Sequence, residues 1–288
     1  MRVVGPLLLG GFVGILTGMF GVGGGFLTTP LLNIILGTPM HVAVGTGALN
    51  ILGVSTAGLY RRRREGLIDY KMSIVLLGGN LAGVRLGVGT LEWLKGLGEL
   101  KFNGQTMPAA DFYILSAFLV LLGGIAGWMI YDTSRNTEPP AVRVGLFSRI
   151  KLPPYTEFDS LDRPRLSIPV LSYFGLILGF MTGLLGIGGG VIMLPSLVYL
   201  VGQRTHRATA TSLAMVWLSS LVATIGHSMA GNSDFLLAIP LMVSGAIGLQ
   251  LGVSLSERVG GPRLRRYFSL VVIAAMALVA AKIMTVAL

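Results

Sequence analysis

The chain has 288 residues, of which 53% are apolar and 12% charged, and its mean hydropathy is +0.77. Soluble domains carry about twice that share of charge, so the composition predicts a membrane protein. The absence of cysteine excludes disulfides, thiolate catalysis and cysteine metal sites. The net charge of +10 does not indicate nucleic acid, because the basic residues lie in short runs between apolar segments, which is typical of topology signals and anionic-lipid contacts.

Apolar segments long enough to cross a bilayer recur along the chain. They lie at 3–37, 39–60, 70–91, 112–131, 168–202, 206–228, 235–256 and 266–287. No small-residue cleavage site follows the first apolar run, so a removable signal peptide is not predicted. A polar, proline-rich stretch at about 133–167 separates the fourth segment from the fifth, and we expect it to be an aqueous linker.

The two halves of the chain repeat each other. A shift of 165 residues aligns GILTGMFGVGGGFLTTPLL, from Gly14, with GFMTGLLGIGGGVIMLPSL, from Gly179. The same register continues through His41 and His206, Thr46 and Thr211, Asp69 and Asp234, and Glu92 and Glu257. The sequence therefore predicts an all-α polytopic membrane protein with a four-segment repeat at 1–131, a linker at 132–167 and a second repeat at 168–288.

The first segment of each repeat has about 35 residues, which exceeds one crossing. Each contains clustered glycines near its middle, at Gly21–Gly25 and Gly186–Gly190. Glycine destabilises a helix interior by about 1 kcal/mol relative to alanine, so each cluster is expected to break its segment into two half-helices. The pattern leaves two forms open, one broken crossing or a re-entrant hairpin.

The loop charges favour inversion of one repeat relative to the other. The basic residues of the loops are Arg61, Arg62, Arg63, Arg64, Lys71, Arg204, Arg207, Arg258, Arg263, Arg265 and Arg266. If all eight segments crossed, the basic loops of the second half would lie outside, against the positive-inside rule. If both glycine-broken segments return to their own side, every basic loop and the linker become cytoplasmic and both termini lie outside.

The glycine clusters are the leading candidates for a binding site. Unwound backbone at membrane depth is tolerated where it is buried in protein or lines a cavity, and half-helix N-termini there suit an anion. The predicted substrate contacts are Gly23, Gly24, Gly25, Gly188, Gly189 and Gly190. The alternative is that these small residues only permit close helix packing.

Polar side chains within the segments supply further candidates. Arg85 lies midway through the third segment, where a charge needs a partner, a polar cavity or a route to the interface, and its repeat equivalent is Gln250. The remaining candidates are Thr46, Asn50, Thr211, Ser212 and Trp217. The hydroxyls among them could instead bond their own helix backbone. Asp69 and Asp234 are interpreted as helix N-caps, and no catalytic residue, metal ligand set or cofactor motif is identified.

The repeated GxGGGxxxxPxL, followed by Gly37, Ala43 and Thr46 and by Gly202, Ala208, Thr211 and Ser212, resembles the TauE/SafE family of sulfite exporters and toluene-sulfonate-uptake permeases. The first repeat departs from the family's Thr-Ser pair, because Gly47 follows Thr46. The resemblance covers both repeats. It implies a multi-pass carrier of small sulfur oxyanions or organosulfonates in the cytoplasmic membrane.

Three functions remain open at this point: a secondary carrier of small anions, an anion channel, and a membrane enzyme or structural or sensory protein. The missing catalytic acids and the lack of a sizeable soluble domain argue against the third. The expected partners are a small anion and the lipid bilayer. The sequence leaves open which anion is moved, in which direction, with which coupling proton or cation, and in what oligomeric state.

Overall fold

A computed structural model describes residues 4–20, 24–63, 66–102, 105–134, 145–158, 160–161, 165–259 and 261–287. The helices are α1 (Val4–Phe20), α2 (Gly25–Leu36), α3 (Met40–Arg62), α4 (Tyr70–Gly96), α5 (Ala109–Ser134), α6 (Ile168–Leu185), α7 (Gly190–Ser196), α8 (Thr205–Met229), α9 (Phe235–Arg258) and α10 (Gly261–Ala287). A π-helical turn, Leu197–Val201, continues α7. Two antiparallel hairpins lie in the connections, β1 (Glu99–Phe102) with β2 (Gln105–Pro108), and β3 (Tyr155–Glu157) with β4 (Arg165–Ser167).

Within these described residues, seven helices are long and apolar enough to cross a membrane. The spans are Met40–Tyr60, Tyr70–Gly96, Ala109–Gly127, Ile168–Leu185, Arg207–Met229, Phe235–Ser256 and Tyr267–Thr285. The outward faces of the helices are also apolar, since Leu8 is 71% exposed, Val120 77% and Leu236 83%. Such a surface is stable in contact with lipid, so the chain is a multi-pass α-helical membrane protein.

Helices α1 and α2 form a hairpin. The end of α2 lies beside the start of α1, because a Cβ built on Gly5 would be 2.8 Å from Leu36 Cδ2. Asn33 and Asp111 fix the open end of the hairpin to the starts of α3 and α5. Asn33 Nδ2 donates to Asp111 Oδ2 at 2.9 Å, and the backbone N–H of Met40 donates to Asp111 Oδ1 at 3.1 Å. The first glycine-broken segment is therefore a helical hairpin, and its first helix, α1, about 25 Å long, is shorter than the ~30 Å hydrocarbon core.

Helices α6 and α7 form the matching hairpin in the second half. Its open end packs on the described part of the linker, where Gly145 contacts the backbone of Val201 and the Phe147 ring lies 5.4 Å from that of Phe174. The same linker region contacts the start of α4, since Lys71 Nζ donates to the Glu157 carbonyl at 2.7 Å and Ser160 Oγ donates to Asp69 Oδ2. Phe158 is buried there against Met72 and Leu171. The linker thus contributes a packed cap at this end of the bundle.

The two hairpins open toward different ends of the bundle. We call the end that holds the starts of α4, α6 and α8, with Lys71 and Arg204, the basic end. The opposite end holds the starts of α3, α5 and α9, with Glu92, Lys95 and Asp111 near them. Hairpin α1–α2 opens at the opposite end and hairpin α6–α7 at the basic end, so each reaches into the bundle from its own side.

Glycines allow each first helix to pack closely on a helix of the other half of the chain. On α1, Gly10, Gly14 and Gly18 contact the backbone of α9, and on α6, Gly175, Gly179 and Gly183 contact the backbone of α4. The two sets of contacts match under the 165-residue shift, since Gly14 contacts Gly245 and Gly179 contacts Asn80. Small residues permit this approach in membranes, where helix association depends on van der Waals packing.

The predicted N-caps are confirmed. Asp69 Oδ1 accepts from the backbone N–H of Met72 at 2.8 Å, and Asp234 Oδ1 accepts from those of Leu236 and Leu237 at 2.9 and 3.2 Å. Each carboxylate satisfies N–H groups that the helix itself leaves without a carbonyl partner. Both caps therefore fix where α4 and α9 begin.

Candidate functional site

The two glycine breaks lie against each other inside the bundle. A Cβ built on Gly25 would be 2.7 Å from the carbonyl oxygen of Ile187 and would overlap the Ile51 side chain. Thr29 Oγ1 donates to the carbonyl of Gly186 at 3.4 Å, which also joins α2 to the second break. Gly24, Gly25 and Gly186–Gly190 are all buried. Residues 21–23, including the predicted contact Gly23, lie outside the described residues.

The backbone at both breaks requires glycine. Gly24 has φ +65° and Gly189 has φ +73°. Both lie in the left-handed region, which is unfavourable for residues that carry a side chain. Each of these residues precedes a new helix, and its carbonyl accepts from residues three and four further on, Leu27 and Thr28 or Ile192 and Met193. The N–H groups of Gly25, Phe26, Gly190 and Val191 belong to the first helical turns, which have no carbonyl partner within the helix.

Polar side chains of α2, α3 and α8 surround the breaks. Asn50 Nδ2 donates to Thr28 Oγ1 at 3.4 Å, and Thr28 Oγ1 donates to the Gly24 carbonyl at 3.2 Å. A Cβ on Gly188 would be 3.1 Å from Ser220 Oγ. Asn50 Oδ1 and Ser220 Oγ are buried and have no hydrogen-bond partner among the described residues. Buried polar atoms without partners cost about 1–3 kcal/mol each, so they point to a bound polar ligand or water.

We call these groups together the break site: the two glycine breaks with Thr28, Asn50 and Ser220. Its described side chains are neutral, and its backbone N–H, amide and hydroxyl groups are hydrogen-bond donors. Such donors bind an anion without an ionised side chain, because N–H groups at helix starts carry partial positive charge. Among the described residues there is no group of three or more His, Cys, Asp or Glu that could hold a metal ion.

The structure places Thr46 and Thr211 at the joints between the two halves of the chain. Thr46 Oγ1 accepts from the backbone N–H of Asp234 at 3.0 Å, and Thr211 Oγ1 accepts from the backbone N–H of Asp69 at 3.1 Å. Gln203 Nε2 also donates to Thr211 Oγ1, at 3.3 Å. Each threonine therefore contacts the N-cap residue of a helix from the other half, one at each end of the bundle.

The remaining predicted contacts are scattered. Ser212 Oγ is buried on α8 and has no partner among the described residues. Trp217 Nε1 donates to Thr56 Oγ1 at 2.8 Å in a partly exposed position. Arg85 and its repeat equivalent Gln250 lie on the exposed faces of α4 and α9, outside the break site. Gly190 begins α7 and lies at the second break.

Sequence reasoning missed Thr28 and Ser220 as break-site residues. Ser220 carried a signal, because a shift of 165 residues pairs it with Ser55, another serine. Thr28 pairs with Met193, so the repeat gave no reason to select it. Hydropathy alone does not say which hydroxyls of an apolar helix face inward.

The fold and the break site describe a polytopic membrane protein with a buried, donor-lined centre, and comparison with known proteins identifies its class as membrane transporters. The family model described as sulfite exporter TauE/SafE matches residues 7–279. The chain belongs to the TauE/SafE family, which confirms the resemblance seen in its sequence.

Its relatives carry consistent descriptions. The chain is 27% identical to the probable membrane transporter protein YjnA of Bacillus subtilis, over 88% of this chain and 91% of that one. It is 27% identical to a probable membrane transporter protein of Xylella fastidiosa, over 92% and 90%. It is also 27% identical to the probable membrane transporter protein MJ0441 of Methanocaldococcus jannaschii, over 88% of each. No solved structure gives a significant match.

Proposed function

We propose that this chain is a secondary carrier of small sulfur-containing anions, such as sulfite, thiosulfate or organosulfonates, across the cytoplasmic membrane. The observation that carries the proposal is the mutual contact of two buried glycine breaks, Gly25 against Ile187, at the tips of hairpins that open at different ends. The family membership and the transporter relatives support a transport role.

Inverted repeats account for the pattern of contacts between the halves. Under the 165-residue shift, α1 corresponds to α6 and α4 to α9, and the observed close pairs are α1 with α9 and α6 with α4. The Thr46–Asp234 and Thr211–Asp69 bonds are likewise each other's equivalents, at different ends of the bundle. A pseudo-twofold axis in the membrane plane relates such pairs in inverted-repeat transporters.

The chemistry of the break site favours an oxyanion. Its donors are the first-turn N–H groups of α2 and α7 and the hydroxyl of Ser220. Sulfite, thiosulfate and sulfonates present several acceptor oxygens on one sulfur centre, which suits converging donors from two helix starts. Since no ionised side chain lies at the described site, the anion is held by dipoles and can also be released, as a transport cycle requires.

Alternating access gives the two ends of the bundle separate roles. Each hairpin is fixed at its open end, α1–α2 through Asp111 and α6–α7 through the docked linker, and meets the other at its tip. Opening at one end needs separation of the halves there, which breaks one threonine–aspartate joint and keeps the other. The equivalence of the two joints fits a cycle with two related open states.

Counterflow in proteoliposomes tests this function. Vesicles loaded with unlabelled anion and diluted into a trace of labelled anion should accumulate label transiently, for at least one of sulfite, thiosulfate, sulfoacetate, isethionate, sulfate and nitrite. The transport rate of a carrier saturates with anion concentration, and a carrier exchanges internal unlabelled anion for external labelled anion in this way. An anion channel would equilibrate the label without overshoot, and that result with every active anion would replace the carrier by a channel.

A further inference from the structure

A buried histidine lies near the break site. His227, near the end of α8, is 0% exposed, and neither of its ring nitrogens has a hydrogen-bond partner among the described residues. An imidazole has at least one donor and one acceptor, so full burial without partners is costly. Gly45 permits the approach of α3, since a Cβ there would be 3.1 Å from His227 Cβ.

Full burial disfavours a charged imidazolium, and two features around the ring offset part of that cost. The carbonyl of Gly183, in the last turn of α6, faces the imidazole. Carbonyls at a helix C-terminus carry partial negative charge, which attracts a cation. The negative charge of Glu92 on α4 acts on the ring in the same sense, while the positive charge of Lys95 acts against it.

Glu92 belongs to a polar cluster beside the end of α8, at the opposite end of the bundle. Its carboxylate accepts from Asn232 Nδ2 at 2.6 Å and from Lys95 Nζ at 3.1 Å, and Lys95 also donates to Asn232 Oδ1 at 2.9 Å. The side chains of Glu92 and Lys95 are 38% and 28% exposed, so protons reach them from solution. The backbone N–H of Asn232 donates to the carbonyl of His227 at 2.8 Å, which holds the cluster against the end of α8.

A row of polar groups continues from the histidine to the break site. Ser220, Thr224 and His227 are spaced four and three residues apart on α8 and therefore share one face of the helix. All three are buried, and the side-chain polar atoms of all three lack partners among the described residues. Ser220 faces Gly188 at the second break. The seven-residue step from Ser220 to His227 spans about 10 Å of helix.

From this arrangement we infer that His227 is the proton-binding residue of the carrier, and that one proton moves with the anion in the same direction. The neutral ring takes a proton on its free nitrogen to become imidazolium while the anion occupies the break site. It returns the proton when the anion leaves. The inference rests on the proposed carrier function and adds to it the identity of the coupling ion.

Symport follows from the charges. An imidazolium and an anion about 10 Å apart in protein attract each other enough to raise the affinity for each by on the order of tenfold. Among the described residues of the elements packed against α8, few other titratable groups lie near the ring. Helix α3 contributes His41, which lies near Glu92, Lys95 and Asp111, and the tyrosines of α6 and the π-helical turn, Tyr173 and Tyr199, are on the exposed surface.

Thiosulfate and isethionate in proteoliposomes are the test, because their own charges stay constant between about pH 6 and pH 8. An inward pH gradient should drive wild-type accumulation of label above equilibrium, and a protonophore should abolish it. His227→Gln keeps a polar side chain but cannot titrate, so it should keep counterflow and lose accumulation driven by the pH gradient at least tenfold. His41→Gln, the matched control at a partly exposed histidine, should behave as wild type.

Each result of these measurements either supports or overturns the assignment of His227 as the proton-binding residue. Accumulation by His227→Gln at the wild-type level overturns the assignment, and so does wild-type counterflow that ignores the pH gradient, which leaves the carrier function standing. If both His227→Gln and His227→Asn lose counterflow, the residue serves folding or the cycle as a whole, and the coupling role is overturned. If wild type shows no counterflow with either anion, the carrier function fails for these anions and this inference fails with it.

Discussion

At the scale of single residues, the glycines of the breaks serve backbone conformation first. Gly24 and Gly189 both lie in the left-handed region, and Gly24 also has no room for a Cβ beside Thr17 Oγ1, whereas a Cβ on Gly189 would lie 3.2 Å from Thr182 Oγ1. A side chain therefore meets steric obstruction at the first break and mainly conformational strain at the second, about 1–2 kcal/mol for an ordinary residue.

Valine substitution of these glycines should abolish substrate binding. Gly24→Val and Gly189→Val are expected to remove the substrate-induced rise in melting temperature of the purified protein, because the first-turn N–H groups lose their alignment. Gly123→Val is the control, since a Cβ there would meet only Met276 Sδ, at 3.7 Å. Retention of the wild-type shift by both folded break variants would mean that the glycines serve packing alone.

Substitution of Ser220 should affect anion binding without reducing the stability of the protein. Its hydroxyl is buried without a partner in the described structure, so Ser220→Ala should leave the melting temperature of the unliganded protein unchanged or raise it slightly. The same variant should raise the Kd of the transported anion about tenfold or more, because a hydrogen bond to a charged group contributes about 1.5–3 kcal/mol. Ser219→Ala, one residue away, is the control. Unchanged affinity in Ser220→Ala would remove this hydroxyl from the site.

At the scale of helices, local signals in the sequence predicted more than distant ones. The N-caps Asp69 and Asp234 could be predicted because their partners lie two and three residues away. The breaks could be predicted because clustered glycine is itself the cause. Hydropathy, however, measures length and not direction, so a broken crossing and a hairpin gave the same pattern until contacts such as Gly5 with Leu36 distinguished them.

Roles that depend on distant partners could not be predicted. The partners of Thr46 and Thr211 lie 188 and 142 residues away, in the other half of the chain. The sequence left the position of Arg85 open, because α4 has apolar residues on all sides and its sequence does not reveal which face meets the bundle. The repeat identifies equivalent positions, such as Thr46 and Thr211, but it does not reveal which residues either one contacts.

The contribution of the two threonine joints to the stability of the protein should be measurable. Thr46→Val and Thr211→Val each leave a backbone N–H at a helix start without its side-chain acceptor, and we expect each to destabilise the protein by about 1–3 kcal/mol. Thr90→Val is the control, because that exposed hydroxyl donates to Leu86 of its own helix. Melting temperatures in detergent report the difference. Equal melting temperatures for all three variants would show that the joints contribute nothing measurable.

At the scale of the whole molecule, one arrangement unites the hairpins, the joints and the charges. If both glycine-broken segments are re-entrant, α3, α4, α5, α8, α9 and α10 cross the membrane and the ends of the chain lie on the same side. The basic end then faces the cytoplasm, as the positive-inside rule requires. The linker that caps this end, through Phe158 and Lys71, becomes a cytoplasmic element fixed to both halves.

Cysteine labelling determines this orientation without background, because the native chain has no cysteine. Lys101→Cys, exposed in β1 at the opposite end, and Leu288→Cys should react with a membrane-impermeant maleimide in intact cells. Lys151→Cys, exposed in the linker, should react only after permeabilisation. The reason is electrostatic, since the basic loops and the linker share one end, and loops rich in Lys and Arg remain cytoplasmic during insertion.

Reaction of Lys151→Cys in intact cells, with protection of Lys101→Cys, would reverse the orientation. Protection of Leu288→Cys alone would instead place α10 differently from its counterparts and end the inverted arrangement.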